Sequence, residues 1–150
     1  LSKKFKIIEI TLRSEMALEA SLEVKKKYPN LIIGLGSIKS ISQLKEVCKY
    51  DFDFYISPGI NDKMLDFSNS NNLNFIPGIS TPSEIMKGIE FKYNILKFFH
   101  AEKNGGVSSL KFFKDIFRDT LFIPTGGVNL DNFNLYLKEN NVLAVGSTSF

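Results

Sequence analysis

Apolar residues along the chain gather in short runs that are hydrophobic on both faces, the pattern of strands buried in a parallel sheet. Seven β-rich runs, most of them of this kind, cover residues 5–11, 31–37, 52–57, 73–78, 94–99, 120–125 and 142–147. Between them the apolar spacing turns helical, for example over 40–50, 82–91, 108–117 and 131–139. The sharpest start signal is Thr81-Pro82-Ser83-Glu84. Thr81 is placed to cap, Pro82 fits the first helical position, and Glu84 stands three residues after the cap. Ser40 and Asn129 are the expected caps of two further helices.

Strand starts recur about every 23 residues, so the chain reads as repeated βα units. An open doubly wound sheet and a (βα)8 barrel both satisfy that period. No G-x-G-x-x-G follows the first strand. Polar residues and glycines recur instead where strands end, at Thr11, Ser37, Ser57, Gly78, Glu102, Thr125 and Gly146. Chemistry spread over many strand ends favours the barrel. Seven strands are one short of eight. The expected fold is therefore an α/β (βα)8 TIM barrel lacking its first βα unit and its last helix, as a single domain over 1–150.

Composition narrows the function. Of 150 residues, 43% are hydrophobic and 23% charged, which excludes wholesale disorder. The net charge of +3 is too mild to imply nucleic acid, and no apolar run is long enough for a transmembrane helix. Cys48 is the single cysteine, so no internal disulfide forms, and a reducing, cytoplasmic compartment fits. Its helical setting predicts a small buried hydrophobe. Lys3, Lys4 and Lys6 precede no long apolar stretch, so no signal peptide is expected.

Lys97 is the candidate nucleophile. It stands in the middle of Ile95-Leu96-Lys97-Phe98-Phe99. A strand lysine usually snorkels from a sheet edge, but apolar residues on both sides suit an edge poorly. Desolvation lowers a lysine's pKa toward the neutral amine that forms a Schiff base with a carbonyl. Glu9 and Arg13 share the first strand and its exit. An exposed ion pair is the common fate of such residues. A carboxylate between isoleucines on a buried strand could instead move protons near neutrality, and arginine's fork suits a carboxylate or phosphate. Pro124-Thr125-Gly126-Gly127-Val128 and Val145-Gly146-Ser147-Thr148-Ser149 follow the last two strands, where barrels commonly bind phosphate through backbone N–H groups. His100 and Glu102 rank below this set: His100 could help proton transfer or be a structural histidine at a strand end, and Glu102 could bind the next loop rather than substrate.

These residues fall in recognisable motifs. Leu96-Lys97-Phe98-Phe99-His100-Ala101-Glu102, followed by Gly105-Gly106-Val107, resembles the Schiff-base strand of the 2-keto-3-deoxy-6-phosphogluconate (KDPG) aldolases. Glu9-Ile10-Thr11-Leu12-Arg13, Gly34-Leu35-Gly36-Ser37, Ile56-Ser57-Pro58-Gly59, Ile76-Pro77-Gly78-Ile79-Ser80-Thr81 and Pro124-Thr125-Gly126-Gly127-Val128 resemble further family motifs in family order. The resemblance implies a cofactor-free, metal-free class I aldolase in a (βα)8 barrel, assembled as a homotrimer. It would cleave KDPG to pyruvate and glyceraldehyde 3-phosphate and could also act on 4-hydroxy-2-oxoglutarate. It makes Lys97 the Schiff-base lysine and Glu9 the acid/base. Arg13 and Ser37 would hold the pyruvate carboxylate, Thr125 would contact substrate, and Gly126, Gly127, Gly146, Ser147 and Thr148 would hold the phosphate. Nothing in it suggests a nucleic-acid or membrane partner. His100 stands where the family has proline, and Gly146-Ser147-Thr148-Ser149 replaces Gly-Gly-Ser-Trp, a change expected to weaken the phosphate site. The alternatives are a 2-keto-3-deoxy-6-phosphogalactonate aldolase, and an inactive fragment that only binds phosphorylated ligand.

Overall fold

A computed structural model describes residues 5–149, so Lys3 and Lys4 lie outside the described residues. The chain divides into two compact units, one ending at Ile76 and one beginning at Pro77. Each is a succession of parallel βα units.

The first unit runs β1 (Ile7–Thr11), α1 (Ala17–Lys27), β2 (Ile32–Gly36), α2 (Ile41–Val47), β3 (Phe54–Ile56), α3 (Asp62–Ser70) and β4 (Phe75–Ile76). Its sheet has the order β1-β2-β3-β4, with every pair parallel. Strand order follows chain order without reversal, as in a barrel and unlike a doubly wound sheet with its switch point. One face of β2 (Ile33, Leu35), with Tyr55, Leu44, Val47, Met64 and Leu65, forms a core in which no side chain exceeds 2% exposure. Each such residue contributes about 1.5–3 kcal/mol through burial. Ser40 caps α2 by accepting from the Gln43 N–H at 3.2 Å, as expected, and Asn61 caps α3 through the Met64 N–H.

The second unit runs β5 (Gly78–Ile79), α4 (Pro82–Glu90), β6 (Ile95–Phe99), α5 (Gly106–Ile116), β7 (Leu121–Thr125) and α6 (Phe133–Leu137). Its three strands are parallel in the order β5-β6-β7. Leu96 and Phe98 of β6 and Phe122 of β7 are fully buried on one face of this sheet. Phe113 of α5 meets Phe98 edge-on and Phe122 at a tilt, both with ring centroids 5.6 Å apart. The α4 capping box is complete. Thr81 Oγ1 accepts from the Glu84 N–H, and the Glu84 carboxylate accepts from the Thr81 N–H at 2.9 Å.

Two prolines account for the main departures from the predicted strands. The run over 73–78 is divided at Pro77, which has no N–H for a ladder. Phe75–Ile76 pairs with β3 and Gly78–Ile79 with β6. The run over 142–147 is reduced to two bridges, Val142 to Phe122 and Gly146 to Thr125. The Leu143 N–H reaches the Phe122 carbonyl, but Pro124 lacks the next donor and the pairing does not propagate. Two smaller expectations also change. Asn129 heads a side-chain turn to the Asp131 N–H, and α6 begins after Asn132. Cys48 is half-buried in a 3₁₀ turn after α2 rather than in a helix core.

Candidate active site

In the first unit, Glu9 and Thr11 of β1 stand in register with Gly34 and Gly36 of β2, so all four share a sheet face. The two glycines leave that face open on β2. A Cβ on Gly36 would lie 1.7 Å from Glu9 Oε1, and one on Gly34 would lie 1.9 Å from the Phe54 ring. Glu9 therefore folds across Gly36, half-buried rather than at the surface. The spacing Gly-x-Gly within a strand is the sequence signal for this, because residues two apart share a face.

Arg13 lies just past the β1 terminus, where its N–H bonds to the Thr11 carbonyl at 2.9 Å. Its side chain is exposed and has no ion-pair or hydrogen-bond partner among the described residues. Five guanidinium donors thus remain available to a carboxylate. Ser37 follows β2 with a φ of 61°, in the left-handed region. For a non-glycine residue this costs about 1–2 kcal/mol. That conformation carries no signal in the sequence.

In the second unit, Lys97 is 5% exposed at the centre of β6, which is the burial expected of it. Its register neighbours are Gly78 on β5 and Ile123 on β7. Its Nζ lies 5.1 Å from the centroid of the Phe99 ring on the same face. Thr125 pairs with Phe99 and so shares the Lys97 face as well. A Cβ on Gly146 would lie 2.4 Å from Thr125 Oγ1. This glycine is needed to clear the threonine. Its own N–H is engaged by the Pro124 carbonyl at 2.9 Å.

The loop after β7 is held from two sides. The N–H groups of Ala101 and Glu102 donate to the carbonyls of Thr125 and Gly126 at 2.8 and 3.1 Å. The side chains of His100 and Glu102 lie over the two glycines. A Cβ on Gly126 would lie 2.7 Å from the His100 ring, and one on Gly127 would lie 2.5 Å from Glu102 Cγ. Both glycines are also left-handed, with φ of 95° and 81°. From the other side, Ser147 Oγ donates to the Val128 carbonyl at 2.6 Å. Ser147 is not in the left-handed region, so a side chain there introduces no backbone strain. The serine side chain thus ties this loop to the loop after β7. The N–H groups of Gly126, Gly127, Ser147 and Thr148 donate to no group among the described residues.

Glu102 is a loop-binding residue, as expected, but its side-chain partner was not legible. The Tyr136 hydroxyl of α6 donates to Glu102 Oε1. Tyr136 is fully buried, and burial together with the hydrogen bond to Glu102 pushes its phenol well above the usual range. No group of three or more His, Cys, Asp or Glu among the described residues could hold a metal ion. A surface concavity of about 450 Å³, lined by Ile41, Lys45, Lys63, Asp66, Phe67 and Ser70, holds none of the candidate residues.

The chain matches known proteins throughout. The family described as "KDPG and KHG aldolase" matches residues 1–150. A 2-dehydro-3-deoxy-phosphogluconate aldolase of Pseudoalteromonas atlantica is 41% identical over 143 residues, which are 95% of this chain and 66% of that protein. The matched stretch thus spans slightly under two thirds of that relative's length. A KDPG aldolase of Legionella pneumophila, solved with pyruvate captured as a covalent carbinolamine, is similar with a TM-score of 0.91 and 34% identity, covering 95% of this chain and 69% of that one. The KDPG aldolase of Zymomonas mobilis ZM4, solved with 3-phosphoglycerate, has a TM-score of 0.91 and 29% identity over 95% of this chain and 68% of that one. These solved aldolases share the parallel βα order described above. The chain belongs to the KDPG and KHG aldolase family.

Proposed function

We propose that the chain carries the Schiff-base chemistry of a class I aldolase, cleaving 2-dehydro-3-deoxy-6-phosphogluconate to pyruvate and glyceraldehyde 3-phosphate, with 4-hydroxy-2-oxoglutarate as a second substrate. The observation that carries this reading is Lys97, a lysine 5% exposed at the centre of an apolar strand, beside a glycine and on the face that holds Thr125. Lys97 Nζ attacks the C2 ketone, and loss of water leaves an iminium. Glu9, through a water, accepts the C4 hydroxyl proton as the C3–C4 bond breaks. The bonding electrons flow into the iminium and give an enamine, and glyceraldehyde 3-phosphate leaves. Proton return to C3 and hydrolysis release pyruvate and restore Lys97. The iminium is the electron sink, so the scheme uses no cofactor.

Arg13 and Ser37 would hold the pyruvate carboxylate, and Thr125 the substrate chain. The phosphate falls to the N–H groups of Gly126, Gly127, Ser147 and Thr148, which have no other acceptor among the described residues. A homotrimer belongs to the same proposal. Met86 and Ile89 on α4, with Phe112 and Ile116 on α5, are between 45% and 62% exposed, apolar area of the kind that a subunit interface covers. A cytoplasmic setting is supported by the single cysteine.

The test is trapping. Borohydride added with pyruvate should give one reduced adduct, mapped by mass spectrometry to Lys97. Labelling at another lysine with Lys97 unmodified would overturn the assignment.

A further inference from the structure

His100 is not used in this chemistry, yet it occupies an unusual position three residues after Lys97. Its Nδ1 is buried and has no hydrogen-bond partner among the described residues, while the residue as a whole is half-exposed. An N–H on a buried Nδ1 with nothing to accept it would forfeit a hydrogen bond. Nε2 is the nitrogen left to meet a ligand, and a phosphate oxygen there would select the tautomer that carries the proton on it.

The ring's placement says where that donor stands. Measured from the Cβ position on Gly126, His100 Cγ and Cδ2 lie at 2.7 Å and Nδ1 at 3.0 Å. Three ring atoms at nearly equal distances mean that the ring faces Gly126. Cε1 comes 3.4 Å from the Cβ position on Gly127. Nε2 is bonded to both Cδ2 and Cε1, so it sits above the same two-glycine segment. That segment carries two of the N–H groups that have no acceptor among the described residues.

The backbone that carries the ring is held. The Asn104 amide donates to the His100 carbonyl at 3.0 Å, and the Ala101 N–H fixes the next residue to the Thr125 carbonyl. Of the charged residues that flank it along the chain, Lys97 is on the preceding strand, Glu102 has a carboxylate oxygen held by the Tyr136 hydroxyl, and Lys103 follows in the next turn.

We propose that His100 is a specificity-determining residue for the phosphate end of the ligand, donating from Nε2 to a phosphate oxygen that also accepts from the Gly126–Gly127 backbone. This rests on the phosphate-loop reading above but not on the Schiff-base chemistry, and the two are tested separately.

The probe is 3-phosphoglycerate, with glycerate as the phosphate-free control, titrated calorimetrically into the 150-residue chain and two variants. His100→Phe keeps a flat ring over Gly126 and loses both nitrogens. His100→Gln loses the ring but keeps an amide donor. Loss of one hydrogen bond to a charged group should raise the Kd of 3-phosphoglycerate about tenfold in His100→Phe. His100→Gln should stay within about threefold of the parent, and glycerate should bind all three alike. Equal circular dichroism and Tm in the three proteins report that the fold is intact, and borohydride trapping of pyruvate at Lys97 reports the Schiff-base chemistry separately. Equal 3-phosphoglycerate affinity in the parent and His100→Phe overturns the proposal, as does failure of the parent to bind 3-phosphoglycerate better than glycerate. A tenfold effect without any pyruvate adduct supports His100 and overturns the aldolase reading instead.

Discussion

Gly36→Ala tests whether the Glu9 carboxylate carries the proton. The new Cβ would stand 1.7 Å from Glu9 Oε1, 2.4 Å from Cδ and 2.8 Å from Cγ. Ordinary contact needs about 3.5–4.0 Å, so the carboxylate must retreat by about 2 Å. Overpacking of this kind costs about 1–3 kcal/mol, which for a chain of this size lowers Tm by roughly 2–12 °C. The effect on turnover should be larger. A misplacement of about 1 Å already costs about 10²-fold, and the whole acid–base contribution is about 10²–10⁴-fold. We expect kcat to fall by at least about 10²-fold while pyruvate still traps on Lys97. The assay is pyruvate release, followed at temperatures well below the melting transition of the variant. In a Glu9→Gln background, Gly36→Ala should add less than about threefold, because the group that it displaces is already inert. A Gly36→Ala variant that turns over within about threefold of the parent would refute Glu9 as the proton carrier. Full multiplication of the two losses would show that Gly36 acts through something else.

Three other outcomes follow from the same structure. The Glu84 carboxyl is pushed up by burial but more strongly down by hydrogen bonds from Ser80 and Thr81, leaving it below the usual range. Its stabilisation is therefore present above the unfolded carboxylate pKa and lost as pH falls through the folded one. Urea unfolding at pH 7 and pH 3 should show a drop that Glu84→Gln reduces. Tyr136→Phe should destabilise by about 1.5–3 kcal/mol, because it removes a donor to a carboxylate; an unchanged Tm would mean that the Glu102 bond adds nothing. Ser147→Gly, which restores the family glycine, should destabilise by about 1 kcal/mol through loss of the bond to the Val128 carbonyl. It should raise KM for the phosphorylated substrate a few-fold, and a lowered KM would show that Ser147 hinders the site.

What could be read from the sequence was what local pattern controls. The capping box from Thr81 to Glu84 is complete within four residues, and it forms as read. The run around Lys97 is apolar on both sides, and the lysine is buried accordingly. Features that depend on a partner far along the chain were not legible. Tyr136 is an aromatic residue on a short apolar helix until Glu102, 34 residues earlier, is placed against its hydroxyl. The strand over 142–147 fails for a similar reason. Its own residues suit a strand, but Pro124 on the neighbouring strand withholds the donor.

The glycines of the candidate site make the point most sharply, since each clears one identifiable side chain. Gly36 clears Glu9, Gly126 clears His100, Gly127 clears Glu102 and Gly146 clears Thr125. None of these pairs is adjacent in sequence, so a glycine and its occupant must be read as one unit. His100 illustrates the consequence. An imidazole fits here because position 126 has no Cβ, and an alanine there would meet the ring at 2.7 Å. Positions 100 and 126 should therefore be coupled in a double-mutant cycle. The loss from Gly126→Ala should have two parts: the strain of a left-handed φ of 95°, which any alanine meets, and the ring clash, which His100→Gly removes. Only the second part is expected to vanish in the double variant.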